Sequence, residues 1–549
     1  MIFMRYAKPL PLILIASLLL KLFYWWELTL NPLPKIAIID ETYDQSRFYQ
    51  AAIGILSGDW LASSANWFSP VYSYFIALIL KITGADFYHV LLVQTLIGWI
   101  GIILIYKSVQ ILFKDARLAL LSACLFAFYA PFTFYEGILN RDILITYGYL
   151  FSFYAALKTI ENKKSIWLVM AAFSLGLTMV LRGHVLPLLL GIYLPHSMGG
   201  SWSQKCRHII LFVLIFTLTL APFWLRDQLL SKKTSVSSQG FSVFWVGNTY
   251  ESSGLDVYRT PLRESLTQET EENLFKAVKI FIREIKKHPR EYQYLYLRKF
   301  YMLFNSYEIP ANMSFDQANE NSRILRFFII NASFVLPLAL LGMFLCWAKR
   351  KECALLYLFT VILLLGVVLF HVQARYRLPA IPYLIIFAAY SLSWLLRTIY
   401  QRRILLCAGG LCLWSLFSAF TSPADEFIKR CFISHIRPSD YLNLAIAYYF
   451  EYSSNQNLLN NEKKDFILQK VSVNLEQAIK YWPAQDKKFI SEISTMLGDI
   501  YWIRGKRKEA LATFEKALLL NPNSADLRRS VEFMKGFGVL PDKKINVTL

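Results

Sequence analysis

Residues 88–113 read YHVLLVQTLIGWIGIILIYKSVQILF, a run with one lysine and no acid. As a helix rising about 1.5 Å per residue, it is longer than the ~30 Å hydrocarbon core of a bilayer. Outward from it, apolar runs recur at 9–30, 118–135, 142–160, 166–181, 185–195, 208–225, 327–347, 354–370, 378–396 and 404–420. The chain is therefore expected to be all-α and polytopic, with about eleven transmembrane helices. Of its 549 residues, 56% are hydrophobic and only 17% charged, more apolar surface than a soluble protein can cover. Long runs without turns exclude a β-barrel, whose strands alternate in and out. The run at 9–30 is too long for a signal-peptide core and no small-residue cleavage site follows it, so it reads as the first span.

The formal net charge is +20, and the positive-inside rule accounts for most of it. Arg5 and Lys8 place the N-terminus in the cytoplasm. Lys114, Arg117, Lys158, Lys163 and Lys164 then fall inside. The run at 185–195 is short, but counting it as a span puts Lys205, Arg207, Lys349, Arg350, Lys351, Arg397, Arg402 and Arg403 inside as well. A multi-pass protein of the inner (plasma) membrane is expected. Its first outer loop covers 31–87, its large outer loop 226–326, and its C-terminal part from 422 lies outside. The remaining positive charge suits anionic lipid or phosphate. No basic stretch comes with a nucleic-acid fold, so no nucleic-acid partner is expected. The seven cysteines form no CxxC pair, which leaves no disulfide framework or metal site. No GxGxxG, P-loop or HExxH occurs, so no cofactor is implied, and a divalent-metal requirement stays open.

The first outer loop contains IDETYDQSRFYQ at 39–50, with Asp40, Glu41 and Asp44. Phe48, Ala51, Ala52, Ile55 and Leu56 then share one helical face, which suits a helix on the membrane surface. Gly58 ends it, and the short apolar run at 69–84 reads as interfacial or re-entrant. Acids at the mouth of a membrane bundle are costly to desolvate and point to a site. Glycosyl transfer needs a base for the acceptor hydroxyl and positive charge for the leaving group. The topology gathers such a kit outside: Asp40, Glu41, Asp44, Glu136, Asp142, Arg182, His184, Arg375 and Arg377. Each alone also fits a boundary charge, a helix cap or a snorkelling side chain. Two arginines flanking Tyr376 in QARYRLP, residues 373–379, favour bidentate phosphate contact. In the large loop, 269–287 reads as an amphipathic helix broken by Pro289, with a second over 290–304.

The polar tail at 422–549 follows the tetratricopeptide pattern of paired helices at Leu497, Gly498, Tyr501, Ala510, Phe514, Ala517 and Pro522. Ser494 stands where that pattern often has Trp. A looser copy lies at Leu444, Ala445, Tyr448, Leu475, Ala478 and Pro483. Two repeats are marginal alone, so the tail is expected to pack on the large loop or on a protein partner.

These stretches resemble the GT-C membrane glycosyltransferases, specifically the glycosyltransferase family 39 or dolichyl-phosphate-mannose-mannosyltransferase-like proteins that carry tetratricopeptide tails. The resemblance rests on DQSRFYQAAIGILSGDW at 44–60, FSPVY at 68–72, Trp245, Gly247 and Asn248, Arg298-Lys299 with Glu308-Ile309-Pro310, and RYRLP at 375–379. The motifs are short, but together they run in order through nearly the whole of 1–421. The resemblance implies a polyprenyl-phosphate-linked sugar as donor, transfer outside the cytoplasm, and inversion at the anomeric carbon. It implies a catalytic aspartate in the first outer loop. Spacing to Ala52 and Gly58 makes this Asp44, while Asp40-Glu41 resembles the paired acids of other branches and keeps Asp40 as the alternative. Glu136 is expected to assist. Some branches have a lysine where this chain has Phe68-Ser69, which shifts donor-phosphate contact to Arg375, Arg377, Arg182 and His184. The expected acceptor is a lipid, glycan or protein. Rival readings are an O-antigen-ligase-like oligosaccharide transferase, or a non-enzymatic transporter or scaffold displaying the tail.

Overall fold

The computed structural model describes residues 9–39, 43–63, 70–84, 86–183, 186–230, 238–254, 261–270, 273–310, 313–328, 330–422, 438–456, 459–482 and 486–536. Among them the secondary structure is helical, with a single isolated bridge between Tyr129 and Ile330. Among the described residues, seven helices are long and apolar enough to cross a membrane: Pro9–Thr29, Tyr88–Phe113, Asp142–Asn162, Trp202–Leu229, Ala332–Lys349, Ala374–Tyr400 and Ile404–Thr421. Shorter apolar helices accompany them at Val71–Thr83, Ala116–Ala127, Ser165–Leu181 and Ala354–Leu369. The protein is an all-α, polytopic membrane protein.

Burial separates the centre of the bundle from its rim. The apolar windows of Ala374–Tyr400 and Asp142–Asn162 are 78% and 67% buried, against 11% for Trp202–Leu229 and Ile404–Thr421. On the rim, Leu12, Ile15, Leu19 and Phe23 stand exposed along Pro9–Thr29, an arrangement that suits lipid. At the centre, a Cβ on Gly342 would meet the Phe387 carbonyl at 1.9 Å. The Ser391 hydroxyl donates to Leu338 O at 2.7 Å nearby.

Two expected elements come out differently. The run at 118–135 is not one span but two short helices, Ala116–Ala127 and Ala130–Glu136. Asp115 caps the first by accepting from the amides of Arg117 and Leu118. Tyr129 is extended, the Ala130 amide donates to Ile330 O at 2.8 Å, and proline opens the next helix. Proline has no amide to carry an α-helix through. The expected helix over 269–287 starts at Leu274, because the Asn273 side chain caps it. Pro289 opens the next helix, Pro289–Phe304. The amphipathic helix of the first outer loop is Asp44–Leu56, followed by Gly58 at φ +108°. Its apolar face turns into protein, with Phe48 edge-on to Tyr72 at 4.9 Å.

The chain divides into two compact units. The first comprises Met1–Trp26, Arg47–Ala311 and Ser322–Ala424 and holds the membrane helices. The second comprises Glu27–Ser46, Asn312–Asn321 and Asp425–Leu549. In the second, Pro438–Ser454 packs on Asn461–Tyr481 and Lys487–Ile503 on Arg507–Leu520. Leu468, Val471, Leu475, Ile493 and Leu497 form one core, and Ala510, Phe514, Ala517, Leu527 and Val531 the next. Gly498 lets its helix approach closely, since a Cβ there would lie 2.8 Å from the Phe514 ring.

Candidate active site

The site is built around a polar residue in the run 88–113. A buried amide in an apolar span must find partners. The Gln94 side chain donates to Glu136 O at 2.9 Å and Ile138 O at 3.0 Å, and accepts from the Tyr72 hydroxyl at 2.6 Å. It thereby pins the turn between the Ala130–Glu136 and Asp142–Asn162 helices. On the far side of Tyr72, the Phe48 ring lies 6.0 Å from the Arg141 guanidinium. Phe48 thus lies beside that turn.

Glu136 and Asp142 bound the turn, and both are fully buried. Glu136 accepts from Lys21 and from the Tyr147 hydroxyl, each at 2.5 Å. Gly98 faces it, and a Cβ at that position would lie 1.9 Å from Oε1. Both carboxylate oxygens of Glu136 are therefore engaged within the bundle. Asp142 is different. Its Oδ1 pairs with Arg182, which ends the Ser165–Leu181 helix, while its buried Oδ2 has no hydrogen-bond partner.

Arg182 links this carboxylate to the QARYRLP corner. Its guanidinium lies 4.2 Å from the centre of the Tyr376 ring, and that of Arg375 lies 5.0 Å from the same centre. Arg375 Nε also donates to Gln373 Oε1 at 3.0 Å. The His371 ring meets Tyr376 edge-on at 4.9 Å, and both its nitrogens are buried without partners. Burial, then the charges of Arg375, Lys299, Arg182 and Arg263, hold the His371 imidazole well below the usual histidine range. It is therefore a neutral ring among cations, a setting that favours an anion.

Arg377 occupies a separate place. Its guanidinium is buried, donating to Leu303 O at 3.0 Å and Asn305 O at 2.6 Å, with Glu308 at 3.3 Å. Glu308 also accepts from the Tyr129 hydroxyl at 3.2 Å. Arg377 thus ties the end of the large loop to the bundle.

Backbone bonds explain why the loop motifs and the corner occur together. The Val372 amide donates to Gly254 O and the Ala374 amide to Ile309 O, so the large loop is stitched to 372–374 at two points. Lys299 reinforces this, donating to Asn248 Oδ1 at 2.8 Å, Val368 O at 3.1 Å and Phe370 O at 2.6 Å. Burial pushes the Lys299 amine down to about 7. Gly247 is required beside it, since a Cβ there would meet Phe370 O at 1.9 Å.

The structure therefore brings Asp142, Arg182 and Arg375 together and gives Glu136 and Arg377 other partners. Asp44 opens the helix Asp44–Leu56, half-buried, at the edge of the second unit. Asp40, Glu41 and His184 lie outside the described residues. Sequence reasoning missed Lys21, Gln94 and His371. Lys21 and Gln94 carried a readable signal, because each is a polar residue inside an apolar run and needs a partner there.

A family model described as dolichyl-phosphate-mannose-protein mannosyltransferase matches residues 68–225. That stretch holds Tyr72, Gln94, Glu136, Asp142 and Arg182. No curated protein matches the chain. The family match supports a membrane glycosyltransferase of the GT-C type.

Proposed function

We propose that the protein is an inverting glycosyltransferase. It moves a sugar from a polyprenyl-phosphate donor to a lipid, glycan or protein acceptor on the extracytoplasmic face of the inner membrane. Asp44 takes the proton of the acceptor hydroxyl. The acceptor oxygen attacks the anomeric carbon, and the phosphate leaves with the bonding electron pair. Arg182 and Arg375 hold the charge that develops on the leaving phosphate, so no general acid is needed. Asp142 positions Arg182. Glu136 braces the bundle, and Arg377 anchors the large loop beside the corner.

The observation that carries this reading is the pair of arginines around one tyrosine ring, fed from two distant parts of the chain. One of them lies within the matched residues. The role of Asp44 comes from its place in the first outer loop and from the resemblance at 44–60. The test is turnover of lipid-linked sugars by the purified protein in liposomes. Asp44→Asn is expected to lower kcat by about 10²–10⁴-fold, the usual worth of a positioned base, with insertion unchanged. Full turnover by Asp44→Asn together with a dead Asp40→Asn moves the base to Asp40. No turnover of any lipid-linked sugar by the wild type removes the reading.

A further inference from the structure

The second unit joins three pieces of chain far apart in sequence, and one of them carries Asp44. The helix Leu33–Ile39 packs on Pro438–Ser454 and buries Leu33, Ile36 and Ala37. A helix of this length has no stability of its own. Asn443, on Pro438–Ser454, donates through Nδ2 to the hydroxyl of Tyr43, a buried residue adjacent to Asp44. The buried Ser46 hydroxyl donates back to Ile39 O at 3.4 Å. Two residues from Asn443, the Tyr441 hydroxyl donates to Glu320 at 2.8 Å, fastening the Phe315–Asn321 helix to the same element.

We propose that the C-terminal helical unit is a clamp acting within its own chain. Its helix Pro438–Ser454 sets the position of the segment 33–46, and Asn443 and Tyr43 are positioning residues for Asp44. The tail then acts on the segment of its own chain that bears Asp44. The catalytic half of this proposal rests on Asp44 being the base. The clamp itself does not.

The test uses the full chain in nanodiscs, with Asn443→Leu, Tyr43→Phe and the double variant. Two readouts run in parallel: hydrogen exchange of peptides spanning 33–46, and kcat with donor KM. For Asn443→Leu, exchange over 33–46 is expected to rise about tenfold, and kcat to fall about tenfold with donor KM within about twofold. The double variant is expected to be no worse than the worse single, because both remove one contact. Ser491→Ala removes a buried bond to Ala517 O elsewhere in the tail and is expected to leave both readouts as in the wild type. Unchanged exchange over 33–46 in both singles overturns the clamp, as do losses in kcat that multiply in the double. Raised exchange with undiminished kcat overturns the positioning role alone. If Asp44→Asn keeps full activity while exchange responds to Asn443→Leu, the base assignment fails and the clamp stands as a structural contact.

Discussion

Two buried carboxylates six residues apart mark two kinds of polar region in this bundle. Around Glu136, charge and hydrogen bonding close on themselves: Lys21 and Tyr147 occupy both oxygens, and Gly98 leaves no space beside them. Around Asp142 they stay open: one oxygen holds Arg182, the other has no partner, and Arg182 leads on to Tyr376 and Arg375. A saturated buried pair serves the fold, because nothing is left over to bind. A half-satisfied one bears the cost of burial without full compensation, and such sites are retained where a ligand completes them.

Removing one partner of the closed region is expected to have the largest effect. Glu136→Gln leaves Lys21 as a buried cation with no counter-charge, which is expected to cost about 3–5 kcal/mol of stability. Combining it with Lys21→Met is expected to recover most of that loss. Thermal unfolding in detergent reads both, and a double variant as unstable as Glu136→Gln contradicts the closed pair. In the open region, Asp142→Asn is expected to leave the unfolding midpoint nearly unchanged and to lower kcat/KM by about 100-fold, since Arg182 loses its fixed direction. Equal effects of the Glu136 and Asp142 variants on stability would erase the distinction.

The two arginines of the corner sharpen the contrast within three residues. Arg375→Ala is expected to lower kcat/KM for the donor by about 10–100-fold with little change in stability, as one charged contact to a phosphate is lost. Arg377→Ala is expected to do the reverse, because it strands the carbonyls of Leu303 and Asn305 and the Glu308 carboxylate. Unfolding midpoints and donor kinetics on the same preparations separate the two.

A pH-dependent effect concerns Lys299, which fastens the large loop. Burial lowers its amine from the ordinary 10.5 to about 7. Between about pH 7 and 10 the unfolded chain therefore binds the proton that the folded chain has released. Stability rises with pH across that window, by at most about 1.4 kcal/mol per unit, and the gain is absent below about pH 7. Midpoints at pH 7, 8 and 9 are expected to climb in the wild type and to stay level in Lys299→Met.

Much of the bundle was legible because spanning a bilayer is a demand on length and composition, which a sequence displays directly. The runs at 88–113, 142–160 and 404–420 needed no partner to be recognised. The run at 118–135 misled for the opposite reason. Its composition is that of a span, and only the pairing of Ala130 with Ile330, some 200 residues away, shows where the chain turns. The site divides in the same manner. Asp142, Arg182 and Arg375 were readable as charges at one membrane face. That Glu136 and Arg377 are already held by other groups depends on Lys21 and on the carbonyls at 303–305, which no local pattern ties to them.

The sequence by its own pattern showed that this chain lives in a bilayer and that its tail folds as paired helices. These follow from hydrophobic transfer and helical periodicity, which act on neighbouring residues. The tertiary structure decided which buried charges are matched and which are left half-matched, and that the tail holds the segment bearing Asp44. Ion pairs and clamps join residues whose separation along the chain has no bearing on their distance in space.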